Sequence, residues 1–294
     1  MALSTGNLQP PTRSAQELVD ETQALISLPE VYMRLREVMD SGDSSMQDVA
    51  EVIAFDAALT GRLLRIANSA LYNFPSRIET LTRAASLLGL RQIHDLVLAA
   101  SVARAFQGLP NEVMDMVTFW HRSVHRGYLA KGLAAATGVR DAESMFIRGL
   151  LLDLGHLILY YRYPDACRQA LAEGGERLDG LLSAENRLIG CNALKLGGEL
   201  MRAWRMPASY TATFEYLDHP AAAGKHAKEV AVLHIAAHLT HGLDTDQLLD
   251  EIINQISQEA WDLTGLWPET VRELVETAAE DVIEAMYKVF SGPV

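Results

Sequence analysis

Apolar residues return along this chain every third or fourth position, segment after segment, a spacing that gathers them on one face of a helix. Leu18, Val19, Thr22, Leu25 and Ile26 keep it over 15–27, and Leu28-Pro29 ends it, because proline disfavours helical geometry in the residue before it. Val31, Leu35, Val38 and Met39 predict a second helix over 30–40, closed by the Gly42-Asp43 turn. Ser45 opens the next segment, 45–55, with Asp48 three residues on, a weak relative of the capping box. The stretch from Asp56 to Tyr72 reads as one helix. Asp56 can cap its first free N–H groups, Leu59, Leu63, Ile66, Ala67 and Ala70 form its buried stripe, and Arg62 and Arg65 fall towards solvent. Ile78, Leu81, Ala85 and Leu88 form another stripe closed by Gly89, and 90–106 is almost wholly apolar after His94-Asp95, as a helix buried on several sides should be.

Gly108-Leu109-Pro110-Asn111 breaks the chain, and helical spacing resumes over 112–137, 142–161, 165–173, 177–190, 193–204, 207–217, 224–241, 246–258 and 268–290. No useful length alternates with period two, so the fold class is all-α. The expected organisation is an arm over 1–14, a helical subdomain over 15–108, a helical bundle over 109–243 sharing its core, and a helical extension over 244–294 packed on that bundle.

Composition narrows the function. Hydrophobic residues make up 49% of 294, ample for a continuous core, yet no run reaches the roughly eighteen apolar residues of a membrane span. The first residues lack the basic start and apolar core of a secretory signal, so the expected compartment is the cytoplasm. A net charge of −13 opposes nucleic acid and anionic membranes as partners, and Arg62, Arg65, Arg83 and Arg91 read as a solvated face rather than a basic patch. Cys167 and Cys191 read as small buried hydrophobes, Gly-x-Ser-x-Gly is absent, and Gly197-Gly198 is not followed by the Lys-Ser/Thr of a phosphate loop.

The run Asp-x-Ala-Leu-Thr-x-Arg-Leu-Leu-Arg-x-Ala-Asn-Ser-Ala-x-Tyr, which contains Asp56, Leu59, Arg62, Leu63, Asn68, Ser69 and Tyr72, resembles the signature of the HDOD domain, a bacterial signalling module. The likeness continues through Leu28-Pro29-Glu30, Ser45 to Ile53, Ile78 to Leu81 and Ala84 to Leu90, departs at Ala57 and Asn73, and covers roughly 20–240. It implies a multi-helical fold in which an N-terminal helical subdomain precedes an HD-like bundle.

Phe119-Trp120-His121-Arg122-Ser123 and Leu150 to Gly155 resemble landmarks of the HD superfamily, whose hydrolases hold divalent metal through histidines and aspartates. The resemblance puts Arg122, Leu152 and Ala237 at ligand positions, puts Leu217 and Asp218 where some relatives have paired histidines, and leaves Asp153 alone. One carboxylate does not hold a catalytic divalent ion, so neither metal nor cofactor is expected and HD-type catalysis should be lost. Arg122 is expected to pair with Asp153 where a cation sits in catalytic relatives, each partner costing a similar amount when removed. A relocated metal site competes with this reading, because His121 and His125, His234 and His238, and Asp153 and His156 are spaced to share helix faces.

Together these features predict a non-catalytic signalling or regulatory protein that works through protein–protein contacts in a bacterial pathway, with the partner unnamed and a homodimer left open. The alternative is a residual metal-dependent phosphohydrolase, or a sensor of a nucleotide-like ligand, using the old HD pocket. A nucleic-acid-binding regulator is opposed by charge.

Overall fold

The structure is a computed structural model that describes residues 14–22, 28–42, 45–68, 72, 74–106 and 112–277. Six helices come first: α1 (Ala15–Thr22), α2 (Glu30–Asp40), α3 (Met46–Ala54), α4 (Ala57–Ala67), α5 (Leu81–Leu88) and α6 (Leu90–Ala105). After the break come α7 (Met116–Ala136), α8 (Ala142–Leu151), α9 (Leu154–Arg162), α10 (Pro164–Gly174), α11 (Leu178–Ile189), α12 (Ala193–Ala203) and α13 (Ala208–Glu215). A 3-10 segment, Pro220–His226, leads into α14 (Ala227–Asp244), α15 (Leu249–Gln255) and α16 (Gln258–Thr264), and 268–277 are helical again. Among the described residues there is no strand, and the fold class is all-α as the spacing predicts.

Helix ends follow the local chemistry. Ser45 and Asp48 complete a full capping box on α3, and Asp56 accepts from the Leu59 N–H at 2.9 Å at the start of α4. Gly89, at φ +84°, ends α5 and starts α6 in a conformation that a side chain would strain.

Four expectations need correction. The helix expected from Asp56 to Tyr72 stops at Ala67, because Asn68 turns its side chain back on the chain. Arg62 is half-buried rather than solvent-facing, its Nη1 donating to Ala100 O. The helix expected over 142–161 is two, broken at Leu152-Asp153. The segment 246–258 holds only α15, after which α16 forms a helix of its own, capped by Ser257. Residues 1–13 of the arm expected over 1–14, Leu25 and Ile26 of the first expected helix, Asp43, the break at 107–111, Ser69, Ala70, Asn73 and residues 278–294 lie outside the described residues.

One hydrophobic core runs from Leu18 to Val271. Its centre is α7, which packs along α8 and antiparallel to α14. Helix α6 lies on α8, and α1 lies on α12. A polar chain also crosses between the early helices and the bundle. Tyr210 donates to Asp95 Oδ1 at 3.0 Å, His94 stands 3.2 Å from the same carboxylate, and the Tyr32 hydroxyl meets His94 Nε2 at 3.0 Å.

Candidate functional site

Charged groups belong in water, so a cluster of them at the core must be mutually compensated. Such a cluster lies where α7, the α8–α9 break, α11 and α14 converge. Arg122 and Arg126 stand one turn apart on α7 and reach the same oxygen of Asp153. Arg122 Nε donates to Oδ2 at 2.8 Å, and Arg126 Nη1 lies 2.8 Å from that atom. Arg126 Nε donates to Thr240 Oγ1 on α14 at 3.0 Å, and Asp244, one turn on, stands 3.7 Å from Arg122 Nε.

Asp153 occupies the N-cap position of α9, yet its side chain caps nothing and turns inward to the arginines. Its other oxygen lies 3.3 Å from His156 Nδ1, and His156 Nε2 lies 3.2 Å from Glu185 Oε1. Glu185 is only 1% exposed and anchors its second oxygen on the Ala193 N–H at 2.9 Å. With a carboxylate against each ring nitrogen, His156 is an imidazolium. Burial alone would push its proton off, but Glu185 and Asp153 outweigh burial and hold its pKa at about 9. Burial likewise raises the Asp153 carboxyl, and Arg122, Arg126 and His156 reverse this and hold it well below the usual range. Three cations, Arg122, Arg126 and His156, thus face three carboxylates, the buried Asp153 and Glu185 and the exposed Asp244 at the edge of the cluster. The Tyr160 hydroxyl, next to Arg122, is pushed up to about 12, chiefly by burial.

The sequence-predicted residues separate into those that meet and those that do not. Arg122, Asp153 and His156 come together; Leu152 and Ala237 are buried apolar residues. His121 is exposed and His125 half-buried, about 100° round α7 from Arg122 and Arg126, and burial next to His121 pushes the His125 pKa down to about 4. His234 donates from Nδ1 to Leu217 O at 2.8 Å and accepts from the Ser257 N–H at Nε2, so both nitrogens are committed and the ring is neutral. His238 lies against it, ring centroids 4.4 Å apart, its pKa driven down to about 3 mainly by burial. Antiparallel packing sets Arg126 beside Thr240 and Arg122 beside Asp244, which leaves His234 roughly three turns of α14 from the His121 end. The two histidine pairs do not converge. Among the described residues, no group of three or more His, Cys, Asp or Glu side chains is placed to hold a metal ion.

The signature residues build a corner, and Asp56, Leu59 and Arg62 also line a small pocket of about 20 Å³. Asp56 caps α4 and pairs with Arg104 at 2.6 Å, and Leu59 and Leu63 are core. Asn68 donates from Nδ2 to Leu64 O at 2.6 Å and to Ile78 O at 2.8 Å, and accepts from the Ile78 N–H at 2.7 Å, clamping the connection to α5. Tyr72 stacks on Phe74, and Lys131 of α7 sits 5.4 Å over its ring.

The HDOD domain model matches residues 25–220. The chain belongs to the HDOD domain family. An uncharacterized protein of Treponema pallidum (strain Nichols) is 26% identical over 213 residues, which cover 70% of this chain and 40% of that relative; the chain thus spans less than half the length of the curated relative it matches. Among solved structures, an HDOD domain protein of unknown function from Geobacter sulfurreducens superposes with a TM-score of 0.73 at 20% identity, over 94% of this chain and 98% of the other. A Shewanella amazonensis SB2B protein provisionally named a phosphohydrolase gives 0.72 at 23% identity, over 95% and 99%. A Marinobacter aquaeolei VT8 protein provisionally named a signal transduction protein gives 0.66 at 22%, over 98% and 68%. At these identities the likeness is one of fold. Among the described residues, no helix is long and apolar enough to cross a membrane.

Proposed function

We propose that this HDOD protein is a non-catalytic signalling component that acts through protein contacts. The observation that carries the reading is the double arginine clamp on Asp153. The one acidic residue kept at the HD ligand positions is engaged by Arg122, Arg126 and His156, and the exposure of Asp153 is 4%. A divalent cation there would face two guanidinium groups and an imidazolium, and a substrate phosphate would need the closed interface of α7, α9 and α14 to open. Among the described residues of the signature, Asp56 acts as a cap and Asn68 as a clamp. Membership of the HDOD family and the fold shared with a protein provisionally named for signal transduction support a signalling role by analogy.

The test is twofold. Purified protein with added Mn²⁺, Mg²⁺ or Fe²⁺ should not hydrolyse nucleotides, cyclic dinucleotides or simple phosphate esters, and affinity purification from the native host should recover a protein partner. Turnover that disappears in Asp153→Ala would establish a residual phosphohydrolase instead.

A further inference from the structure

The last described part of the chain, 249–277, lies beyond the residues matched by the family and has its own character. It carries seven carboxylates against one base, Arg272, and two of the four tryptophans of the protein. That base is already paired, with Asp250. Helices α15 and α16 and the turn after them enclose a groove of about 520 Å³. Its apolar lining includes Ile253, Ile256, Leu266 and Trp261, with Trp267 and Asp262 among the remaining residues. Trp267 is 72% exposed although it lines a concave surface. Asp262 is also exposed, and its carboxylate accepts from Gln258 Nε2 at 2.9 Å, a neutral partner that leaves the charge uncompensated.

An exposed indole and an unneutralised carboxylate lining one groove attract cations to it, because the ring face and the carboxylate both present negative potential. The groove volume is that of a ligand-sized site, and tryptophan is the residue most enriched where a few contacts dominate binding. The apolar lining asks for apolar side chains beside the cation.

We propose that this groove receives a segment of a protein partner in which arginine or lysine alternates with apolar residues. The cation lies against Trp267 and Asp262, and the apolar side chains against Ile253, Ile256 and Leu266. The assignment rests on the reading that the chain works through protein contacts, and it gives that contact a place outside the family domain and a sign of charge.

Tryptophan fluorescence of the full chain reports on the groove, since Trp120 and Trp204 are each only 7% exposed and Trp267 is the indole most open to a ligand. Titration with the peptide acetyl-Arg-Leu-Arg-Leu-Arg-amide should give a saturable change that rising salt weakens. The same peptide with glutamate in place of arginine should give none. Trp267→Ala and Asp262→Asn, each checked for unchanged helical circular dichroism, should weaken arginine-peptide binding, measured for both by calorimetry, by about tenfold or more. The proposal is overturned if neither peptide binds, if both bind alike, or if Trp267→Ala binds as tightly as the parent. It is also overturned if light scattering finds a concentration-dependent dimer that Trp267→Ala disperses, since the groove then belongs to a second copy. A native partner recovered equally by parent and Trp267→Ala protein would sink the groove and leave the protein-contact reading standing; recovery of no partner would sink that reading itself.

Discussion

Arg122 Nε donates to Asp153 Oδ2 across 2.8 Å, and Arg126 Nη1 stands at the same distance from the same oxygen. This sharing breaks the symmetry that the sequence suggests for the pair. Asp153→Ala strands two guanidinium groups and one side of His156, so it should cost about 3–5 kcal/mol, the range for breaking a buried ion pair. Arg122→Ala should cost clearly less, because Arg126 and His156 still compensate the carboxylate. The double variant should lose less than the two singles together, by more than the roughly half kcal/mol within which distant sites add. Urea melts with equal and additive losses would show that the two residues act separately.

His156 makes the same cluster sensitive to alkali. Its folded pKa of about 9 lies above the ordinary value of 6.5, so the stabilisation is full below about 6.5 and fades as pH rises through 9. At one pKa unit per 1.36 kcal/mol the loss is on the order of 3 kcal/mol. His156→Gln should remove most of that slope while lowering stability near neutrality. Parent protein whose unfolding free energy is flat from pH 6.5 to 9.5 would contradict the imidazolium assignment.

The all-α class and most helix limits are legible because stripes and caps are local: Ser45 with Asp48, Asp56, and Gly89 each act within a few residues. The break at Leu152-Asp153 is not, since Leu150 to Leu154 contains no glycine or proline and the turn exists to aim Asp153 inward. Arg126 carried a signal, lying four residues after Arg122, but a charged residue every turn ordinarily marks a wet face. Glu185 carried none. Its burial depends on α11 meeting α9 and α12, a contact that nothing near Glu185 encodes. The clamp role of Asn68 was hidden for the same reason, because its partner Ile78 lies ten residues along the chain.

That clamp is testable by itself. Asn68→Ala removes the bonds to Leu64 O, Ile78 O and Ile78 N, and Ile78 is 2% exposed, so its backbone groups lose their partner where water replaces it poorly. The expected loss is about 2 kcal/mol, within the range for unsatisfied buried polar groups. Asn68→Asp keeps the acceptor for Ile78 N–H but sets a carboxylate oxygen, which can only accept, against Leu64 O and Ile78 O, so at neutral pH it should cost at least as much as Asn68→Ala. Thermal melts in which Asn68→Asp is as stable as the parent would assign the corner to packing instead.

Gly155 sits two residues after Asp153, where α9 crosses α12, and a Cβ added there would stand 1.9 Å from Ala193 O. A backbone carbonyl cannot swing aside as a side chain does, so the helices must part. The Ala193 N–H that holds Glu185 moves with them. Gly155→Ala should therefore destabilise by about 3 kcal/mol, the upper end of overpacking costs, and should also weaken the alkaline stability slope by loosening the carboxylates from His156. Gly198, inside α12, provides the control: its added Cβ would meet only Phe214 Cβ, at an ordinary 3.4 Å, and alanine is the better helix former by about 1 kcal/mol. Gly198→Ala should be neutral or stabilising, with the slope intact. If both variants melt alike, the contact between α9 and α12 is not what holds the buried charges in register.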